Sequence, residues 1–172
     1  MPAWRARGFE PLGWFANANI QPAAELERRL ESMRRYSRAA GLELMVAEES
    51  ALEDAWQVWA ATLSTLPSEQ RCRSCLGQRL DEAGAAAVRL GVERFSTTLS
   101  VSPYQRHDLI EAAGEAAARR HGATFVPFDL RSRFRESYAE SRRLGLYRQP
   151  YCGCVASKWE VWHERRQRRR KG

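Results

Sequence analysis

Four cysteines, arranged as two close pairs, are the residues of this chain best suited to chemistry. Cys72 and Cys75 form a C-x-x-C, and Cys152 and Cys154 form a C-x-C with a glycine between them. Nothing in the sequence indicates an oxidising compartment, so the pairs favour metal binding, iron–sulfur chemistry or redox work over structural disulfides. One zinc ion held by all four sulfurs is the simpler alternative, and two unligated thiols at either pair is another.

The two spacings favour different chemistries. A C-x-x-C directly before a predicted helix lets two thiolates converge on one metal centre. The helix N-terminus and the neighbouring Arg71, Arg73 and Arg79 would then favour the anionic thiolate. A C-x-C with a central glycine chelates a metal or closes a strained, easily reduced disulfide. The spacing alone leaves these alternatives open.

Alternating strands and helices must position the cysteines. Apolar runs bounded by turn residues predict four strands, at residues 11–16, 42–47, 95–99 and 124–128. Helical periodicity predicts six helices, at residues 22–38, 51–64, 76–90, 102–120, 133–144 and about 155–166. Strands that alternate with helices predict an α/β fold with a parallel sheet.

The charge of the chain is concentrated at one end. The formal net charge is +7, and six of the 28 basic residues lie in the last eight positions, which leaves 22 bases against 21 acids in residues 1–164. We therefore expect one folded domain over residues 1–164 and a basic, disordered tail over 165–172. Such a tail either contacts a polyanion, often nucleic acid, or only aids solubility. The sequence shows no signal peptide and no apolar run of membrane-spanning length, so we expect a cytoplasmic protein without membrane contact.

Several longer strings surround the cysteines. They are Arg71-Cys-x-x-Cys75, Thr97-Thr-Leu-x-x-Ser-Pro-Tyr-Gln105, Phe128-Asp-x-Arg131, Phe134-Arg-Glu-Ser137 and Leu146-Tyr-Arg-Gln-x-Tyr-Cys-Gly-Cys154. Upstream of them, Asn19-Ile-x-Pro22 is followed by Glu25. This order closely resembles that of the iron–sulfur epoxyqueuosine reductase family of the QueH type, over about residues 8–157.

The resemblance implies a specific reaction. Such enzymes reduce epoxyqueuosine to queuosine at the wobble position of tRNA, with a [4Fe–4S] cluster and an electron donor. It implies that Cys72 and Cys75 are cluster ligands, and that Cys152 and Cys154 are a redox-active disulfide pair or ligands of a second metal. It also implies a Rossmann-like fold related to the nucleotide α-hydrolases, with a parallel sheet flanked by helices.

Other residues of these strings are candidates for the site. We expect Asp129, near the end of the fourth predicted strand, to be a metal ligand or proton donor, with a helix cap or an ion pair to Arg131 or Arg133 as the plainer alternative. Tyr104 and Gln105 are expected to contact the nucleoside, or otherwise to pack locally.

The tRNA partner gives the arginines near the second pair a role. We expect phosphate contacts from Arg131, Arg133, Arg135, Arg142, Arg143 and Arg148. Glu136 and Glu140 would neutralise part of this patch. Tyr147 and Tyr151 are expected to stack on an unpaired base, and His107 and His163 to be surface residues.

The chain departs from the family in two ways. The family opens with an adjacent Cys-Cys after its first strand, whereas this sequence has no cysteine before Cys72, and Gln21 stands where the family has histidine. A start site placed too late, which omits the first strand, is our favoured explanation, and a degenerate gene is the alternative. We therefore expect poor cluster loading and weak activity. Two other classes stay open: a zinc-stabilised RNA-binding module without catalysis, and a thiol oxidoreductase.

Overall fold

The structure, a computed structural model, describes residues 2–48, 57 and 66–171. The described residues fall into two compact units. The first unit takes those within 1–59 and 144–172, and the second takes those within 60–143. The helix predicted at 51–64 lies outside the described residues, apart from Gln57.

Helices and short parallel strands build both units. The helices are α1 (Pro2–Arg5), α2 (Ala23–Ala40), α3 (Ser68–Arg89), α4 (His107–His121), α5 (Phe134–Arg143) and α6 (Val155–Lys171). The strands are β1 (Gly13–Phe15), β2 (Leu44–Val46), β3 (Arg94–Phe95) and β4 (Thr124–Phe125). Short 3-10 helices cover Thr98–Val101 and Arg131–Arg133. The sequence-based prediction of a mixed α/β fold with parallel strands and flanking helices is confirmed.

In the first unit, α2 connects two parallel strands. β1 pairs with β2 in the register Gly13 to Leu44 and Phe15 to Val46. A parallel pair needs a long crossover, and the helix that follows Pro22 supplies it. The buried positions of α2 include the charged residues Glu25 and Arg29, which matter for the site.

In the second unit, α4 connects the parallel strands β3 and β4, and α3 packs against α4. The core contains Leu80 of α3, Ala117 of α4 and Phe95 of β3. Gly114 permits the close packing, because a Cβ there would lie 2.5 Å from the ring of Phe125. A side chain at position 114 would therefore push β4 away from the helix.

The C-x-x-C lies inside a helix, so the prediction that it precedes one is wrong. Helix α3 begins at Ser68, directly after Pro67, and its first turn carries Glu69. Proline before the first turn and an acidic residue within it both favour a helix start at this point. Cys72 and Cys75 consequently lie in the second turn and beyond, where the N-terminal dipole acts less on their thiols.

Two further boundaries differ from the predictions. The strand predicted at 95–99 ends at Phe95, because the Thr97 side chain accepts a hydrogen bond from the Leu99 amide at 3.2 Å and caps a 3-10 helix. The helix predicted from Ser102 begins at His107. There the Ser102 hydroxyl accepts from the Tyr104 amide at 3.3 Å and stabilises a turn instead.

The last helix is longer than the sequence predicts. Helix α6 runs from Val155 to Lys171, so the basic residues expected in a disordered tail are helical in the structure. Arginine and lysine are good helix formers, which accounts for the continuation. Within the described part of the chain, none of the helices combines the length and apolarity that crossing a membrane requires.

Candidate functional site

The first cysteine pair lies on one face of a helix. Cys72 and Cys75 are three residues apart in α3, and both are half-buried free thiols. Residues at this spacing have Cβ atoms about 5–6 Å apart on a helix. A disulfide needs about 3.5–4.5 Å between its Cβ atoms. The helix therefore presents two sulfurs side by side as ligands and keeps them from closing a disulfide.

Arg106, just before α4, interacts electrostatically with Cys72. The pKa of Arg106 is raised mainly by its hydrogen bond to Asp108, and Cys72 contributes to the same shift. Cys72 also packs against a core cluster that contains Leu76 and Leu109. The Arg73 guanidinium, in contrast, lies 3.6 Å from the carboxylate of Glu69. The Arg106 guanidinium is itself bonded to the Asp108 carboxylate at 2.8 Å, so Cys72 accounts for the smaller part of its interactions.

A small polar cavity lies where β3 and β4 end. Its volume is about 10 Å³, room for about one water molecule, and its polar lining includes Ser96, Thr97, Ser100, His107 and Glu111. Carboxyl ends of parallel strands are the usual place for sites in α/β proteins. His107 is half-buried and its Nε2 lies 3.0 Å from the Ser102 carbonyl oxygen, so it lines this cavity as well as the surface.

Asp129 forms an exposed ion pair near this cavity. Its carboxylate accepts from the Arg131 guanidinium, at 2.6 Å from Nη2 to Oδ2, and from the Arg131 amide at 3.1 Å. These hydrogen bonds lower the pKa of Asp129 well below the usual range of a carboxyl group. The side chain is therefore ionised at neutral pH, which suits a ligand or an anchor for Arg131 better than a proton donor.

The other predicted contacts of the second unit are accessible to different degrees. Tyr104 is 84% exposed and its ring meets the edge of Phe134 at 5.9 Å between centroids, while Gln105 is half-buried. Three of the predicted phosphate-binding arginines form ion pairs: Arg131 with Asp129, Arg133 with Glu136 and Arg143 with Glu140. Arg148 is exposed and belongs to the first unit.

The second cysteine pair forms a turn before α6, and its two thiols differ. Cys152 is exposed, whereas Cys154 is 5% exposed. Both are free thiols, and both contact Ser157: Cys152 Sγ donates to its Oγ at 3.2 Å, and its amide donates to Cys154 Sγ at 3.3 Å. A hydrogen bond to Cys152, with burial second, raises the pKa of Cys154 well above that of an ordinary thiol.

A buried ion pair of α2 holds this turn. Arg29 Nε donates to Glu25 Oε1 at 2.8 Å, and the two side chains are only 8% and 7% exposed. The remaining Arg29 nitrogens donate to the backbone carbonyls of Cys152 at 2.9 Å and Tyr151 at 3.0 Å. Tyr147 completes the network, since its hydroxyl donates to Glu25 Oε2 at 2.7 Å. The charges of this pair therefore fix the backbone that carries the cysteines.

Gln21 supports the same turn from the other side. Its backbone N–H donates to the Gly153 carbonyl at 2.9 Å, and its side-chain oxygen accepts from the Val155 backbone N–H at 3.3 Å. Its own carbonyl accepts from the Tyr151 hydroxyl. The glutamine that replaces the family's histidine is thus 6% exposed and serves as a support of the Cys-Gly-Cys turn.

Gly153 occupies the tightest point of the turn. Its φ is +145°, and a Cβ there would lie 3.0 Å from Asn19 Nδ2 and 3.2 Å from Ile20. The Asn19 side chain is 3% exposed, and its Oδ1 has no hydrogen-bond partner. Only glycine adopts this backbone conformation readily, so the central residue of the C-x-C is required by the turn itself.

Two points in this region differ from the sequence-based prediction. Tyr151 is 8% exposed, with the Arg29 guanidinium 5.2 Å from its ring centroid, so the prediction that it stacks on a base is wrong. Burial, with the Glu25 carboxylate second, raises its pKa to about 12. Arg29 has no place in the sequence-based prediction, although the i, i+4 spacing of Glu25 and Arg29 indicates an ion pair.

The C-x-x-C of α3 has the chemistry of a metal-binding pair. Two thiolates on one helical face fit two positions of an iron–sulfur cluster, whose ligands are usually four cysteines. Within residues 2–48, 57 and 66–171, no three His, Cys, Asp or Glu side chains converge on a common point. Among the described side chains, Cys72 and Cys75 therefore form a pair of thiols without a third donor beside them.

The chain is similar in sequence to proteins of one family. A family model described as "Epoxyqueuosine reductase QueH" matches residues 1–160. A protein of that name from Dehalococcoides mccartyi is 36% identical over 157 residues, which cover 91% of this chain and 84% of the relative. The Thermotoga maritima protein of the same name is 33% identical over 148 residues, 84% of this chain and 77% of the relative.

The matches define first a class and then a family. The class is that of α/β oxidoreductases with paired cysteines, since the relatives are named as reductases and the chain has two pairs of thiols. The chain belongs to the QueH family.

Proposed function

We propose that this protein reduces epoxyqueuosine to queuosine in tRNA, in the cytoplasm where such a substrate is made and used. One observation supports it most. Segments that carry the family's motifs, although far apart in sequence, contact each other: Gln21, Glu25 and Arg29 hold the turn that contains Cys152 and Cys154. The proposal extends to a Rossmann-like arrangement of the complete fold.

The second cysteine pair matches the electron count of the reaction. Removal of the epoxide oxygen as water consumes two electrons and two protons. Oxidation of the Cys152 and Cys154 thiols breaks two S–H bonds, forms one S–S bond and releases two electrons and two protons. One dithiol therefore balances one epoxide, and an external electron donor must reduce the disulfide again.

The asymmetry of the pair gives each thiol a role. Cys152 is exposed, so it is the sulfur that an external donor reaches. Cys154 is buried and its pKa is raised by its hydrogen bond to Cys152, so it keeps its proton at neutral pH. That proton is available to the departing oxygen. Arg29 orients both residues through the carbonyls of Tyr151 and Cys152.

The first cysteine pair has a different role in this proposal. In it, Cys72 and Cys75 would supply two ligands of a [4Fe–4S] cluster, a group that transfers electrons one at a time. The pair is rigid because both residues lie within one helix, and Arg106 offsets negative charge at Cys72. Tyr104, Gln105, Asp129 and Arg131 belong to the part of the same unit that contacts the nucleoside.

The direct test is conversion of the modified nucleoside. Protein purified and supplied with iron and sulfide without oxygen is incubated with a reductant and with tRNA that carries epoxyqueuosine. Nucleosides are then separated and weighed by mass spectrometry. We expect a product that lacks one oxygen, and we expect Cys152→Ser to abolish it while Val88→Ala, at an exposed position of α3, does not. A protein that holds one zinc and no iron, and yields no product, would indicate the zinc-stabilised RNA-binding module instead.

A further inference from the structure

Helix α6 carries an aromatic cluster, two exposed indoles and an imidazole, whose rings pack against one another. Trp159 is 60% exposed and Trp162 is 45% exposed, and their rings stack at 5.1 Å between centroids. His163 meets both indoles edge-on, and the Arg166 guanidinium lies 5.2 Å from the Trp162 centroid. Two large indoles held in water are costly unless something covers them.

A dense positive charge continues from this cluster along the same helix. Helix α6 contains seven basic residues and two acidic ones, Glu160 and Glu164. Beyond Glu164 the helix has no acidic residue, and Arg166 and Arg170 follow Trp159 and Trp162 on one stripe because of their helical spacing. The surface thus combines stacking rings with a row of cations, the pattern that unpaired nucleotides favour.

We propose that α6 is an RNA-binding surface, on which the aromatic cluster stacks against unpaired bases and the arginines of residues 165–170 contact phosphates. The choice of tRNA as the RNA rests on the proposed function. The family match ends at residue 160, so the basic part of this surface lies beyond the region shared with the family. It adds affinity for the substrate without taking part in the reduction.

Charge and shape favour RNA over the other occupants of such a helix. A second copy of the chain would bring two strongly positive helices together, which costs free energy. A membrane surface favours an apolar face along the whole helix. Here the apolar residues lie in the first half of α6, and the second half has none. Stacked indoles beside arginines fit bases and phosphates instead.

The test measures binding of an unmodified tRNA transcript to the full chain over a range of salt concentrations. Arg168→Gln, Arg169→Gln and Arg170→Gln together should weaken binding about tenfold and reduce the log–log salt slope by about two, since each phosphate contact contributes about 0.7–0.9. The matched control removes three exposed arginines elsewhere, with Arg34→Gln, Arg38→Gln and Arg119→Gln. Equal losses in the two triple variants would overturn the proposal.

A second pair of variants tests the stacking. Trp159→Leu with Trp162→Leu keeps apolar side chains but removes the stacking rings, and should weaken binding of the tRNA about tenfold while binding of a blunt RNA duplex changes little. The control is Tyr138→Leu, at a tyrosine that is 47% exposed. Unchanged tRNA binding, combined with loss of self-association or of binding to phosphatidylserine vesicles, would show that the cluster serves another partner.

The result is separable from the test of the reaction. If the chain binds tRNA through α6 but does not reduce epoxyqueuosine, the RNA-binding proposal is supported and the proposed function is wrong. If it reduces epoxyqueuosine while the α6 variants bind tRNA like the parent chain, the function stands and the surface fails.

Discussion

The two cysteine pairs of this chain use the same residue type in two different structural settings. Cys72 and Cys75 project from one face of α3, in equivalent half-buried positions. Cys152 and Cys154 lie in a tight turn, one exposed and the other buried. The first pair lies within a single helix, whereas the turn of the second pair is held by hydrogen bonds with Arg29 of α2 and with Gln21.

This difference indicates which chemistry each pair can support. A helix fixes two sulfurs at a spacing that suits metal ligands and is too wide for a disulfide. A turn with glycine at its centre brings two sulfurs within hydrogen-bond range and makes them unequal. The predictions below change the support of one pair and use a matched position elsewhere as the control.

The largest effect is expected from the buried ion pair that supports the turn. Arg29→Met leaves the Glu25 carboxylate without its cation and the carbonyls of Tyr151 and Cys152 without their donor. Removal of one partner from a buried pair costs about 3–5 kcal/mol, so the free energy of unfolding in urea should fall by that amount. Accessibility of Cys154 to a thiol reagent should rise with it.

The control lies on the same helix. Arg38 is 3.5 Å from the Glu31 carboxylate, with side chains 67% and 58% exposed. Arg38→Met should change the free energy of unfolding by less than about 0.5 kcal/mol, because water screens such pairs. Similar losses in the two variants would mean that the network around Arg29 does not support the turn.

Replacing a glycine by alanine should change the stability of the protein in opposite directions near the two cysteine pairs. Gly153→Ala forces a Cβ to 3.0 Å from Asn19 Nδ2 at a φ of +145°, and should destabilise the protein by about 1–3 kcal/mol. Gly77→Ala, two residues after Cys75 in α3, meets no atom within 4 Å. It should stabilise the protein by about 0.5–1 kcal/mol, since alanine favours a helix. Thermal unfolding of both variants measures the difference, and a stabilising Gly153→Ala would refute the strained turn.

The smallest expected effect is a difference in thiol reactivity within the turn. Only the thiolate reacts with iodoacetamide, and Cys154 is both buried and held protonated by its raised pKa. We expect Cys152 to be labelled at least about tenfold faster near neutral pH. Because an ordinary thiol ionises near pH 8.5, Cys154 should stay slow up to about pH 9. Mass spectrometry of the labelled peptide measures both rates, and equal rates would contradict the asymmetry.

The sequence predicts the order of the elements better than their limits. The strand pattern located β1 and β2, and proline and glycine located α2 and α5 correctly within a few residues. It placed the start of α3 too late, because Pro67 and Ser68 indicate a break, whereas the helix begins at Ser68. It also extended the third strand through Thr97, whose hydroxyl competes with the strand by capping a 3-10 helix.

The cysteines of the candidate site could be predicted from the sequence, whereas the residues that hold their backbone in place were harder to predict. The spacing identified both pairs, and the motif strings identified Asp129 and Arg131, which form the ion pair that was the plainer alternative. Contacts between distant segments, such as Arg29 with the carbonyl of Cys152, depend on the fold and leave no local pattern. Burial of Tyr151 follows from the same contacts, which is why its role was misjudged.

The most direct test of the separate roles is iron and sulfide content in four single variants. Cys72→Ser, Cys75→Ser, Cys152→Ser and Cys154→Ser are each reconstituted without oxygen and compared with the parent chain. The parent chain, with four cysteines in all, is expected to load poorly, and we predict that the two α3 variants lose the iron and sulfide that it does take up. The two turn variants should keep most of both but lose reduction of epoxyqueuosine. Loss of iron in Cys152→Ser as complete as in Cys72→Ser, or a parent chain that holds zinc and no iron, would contradict the account.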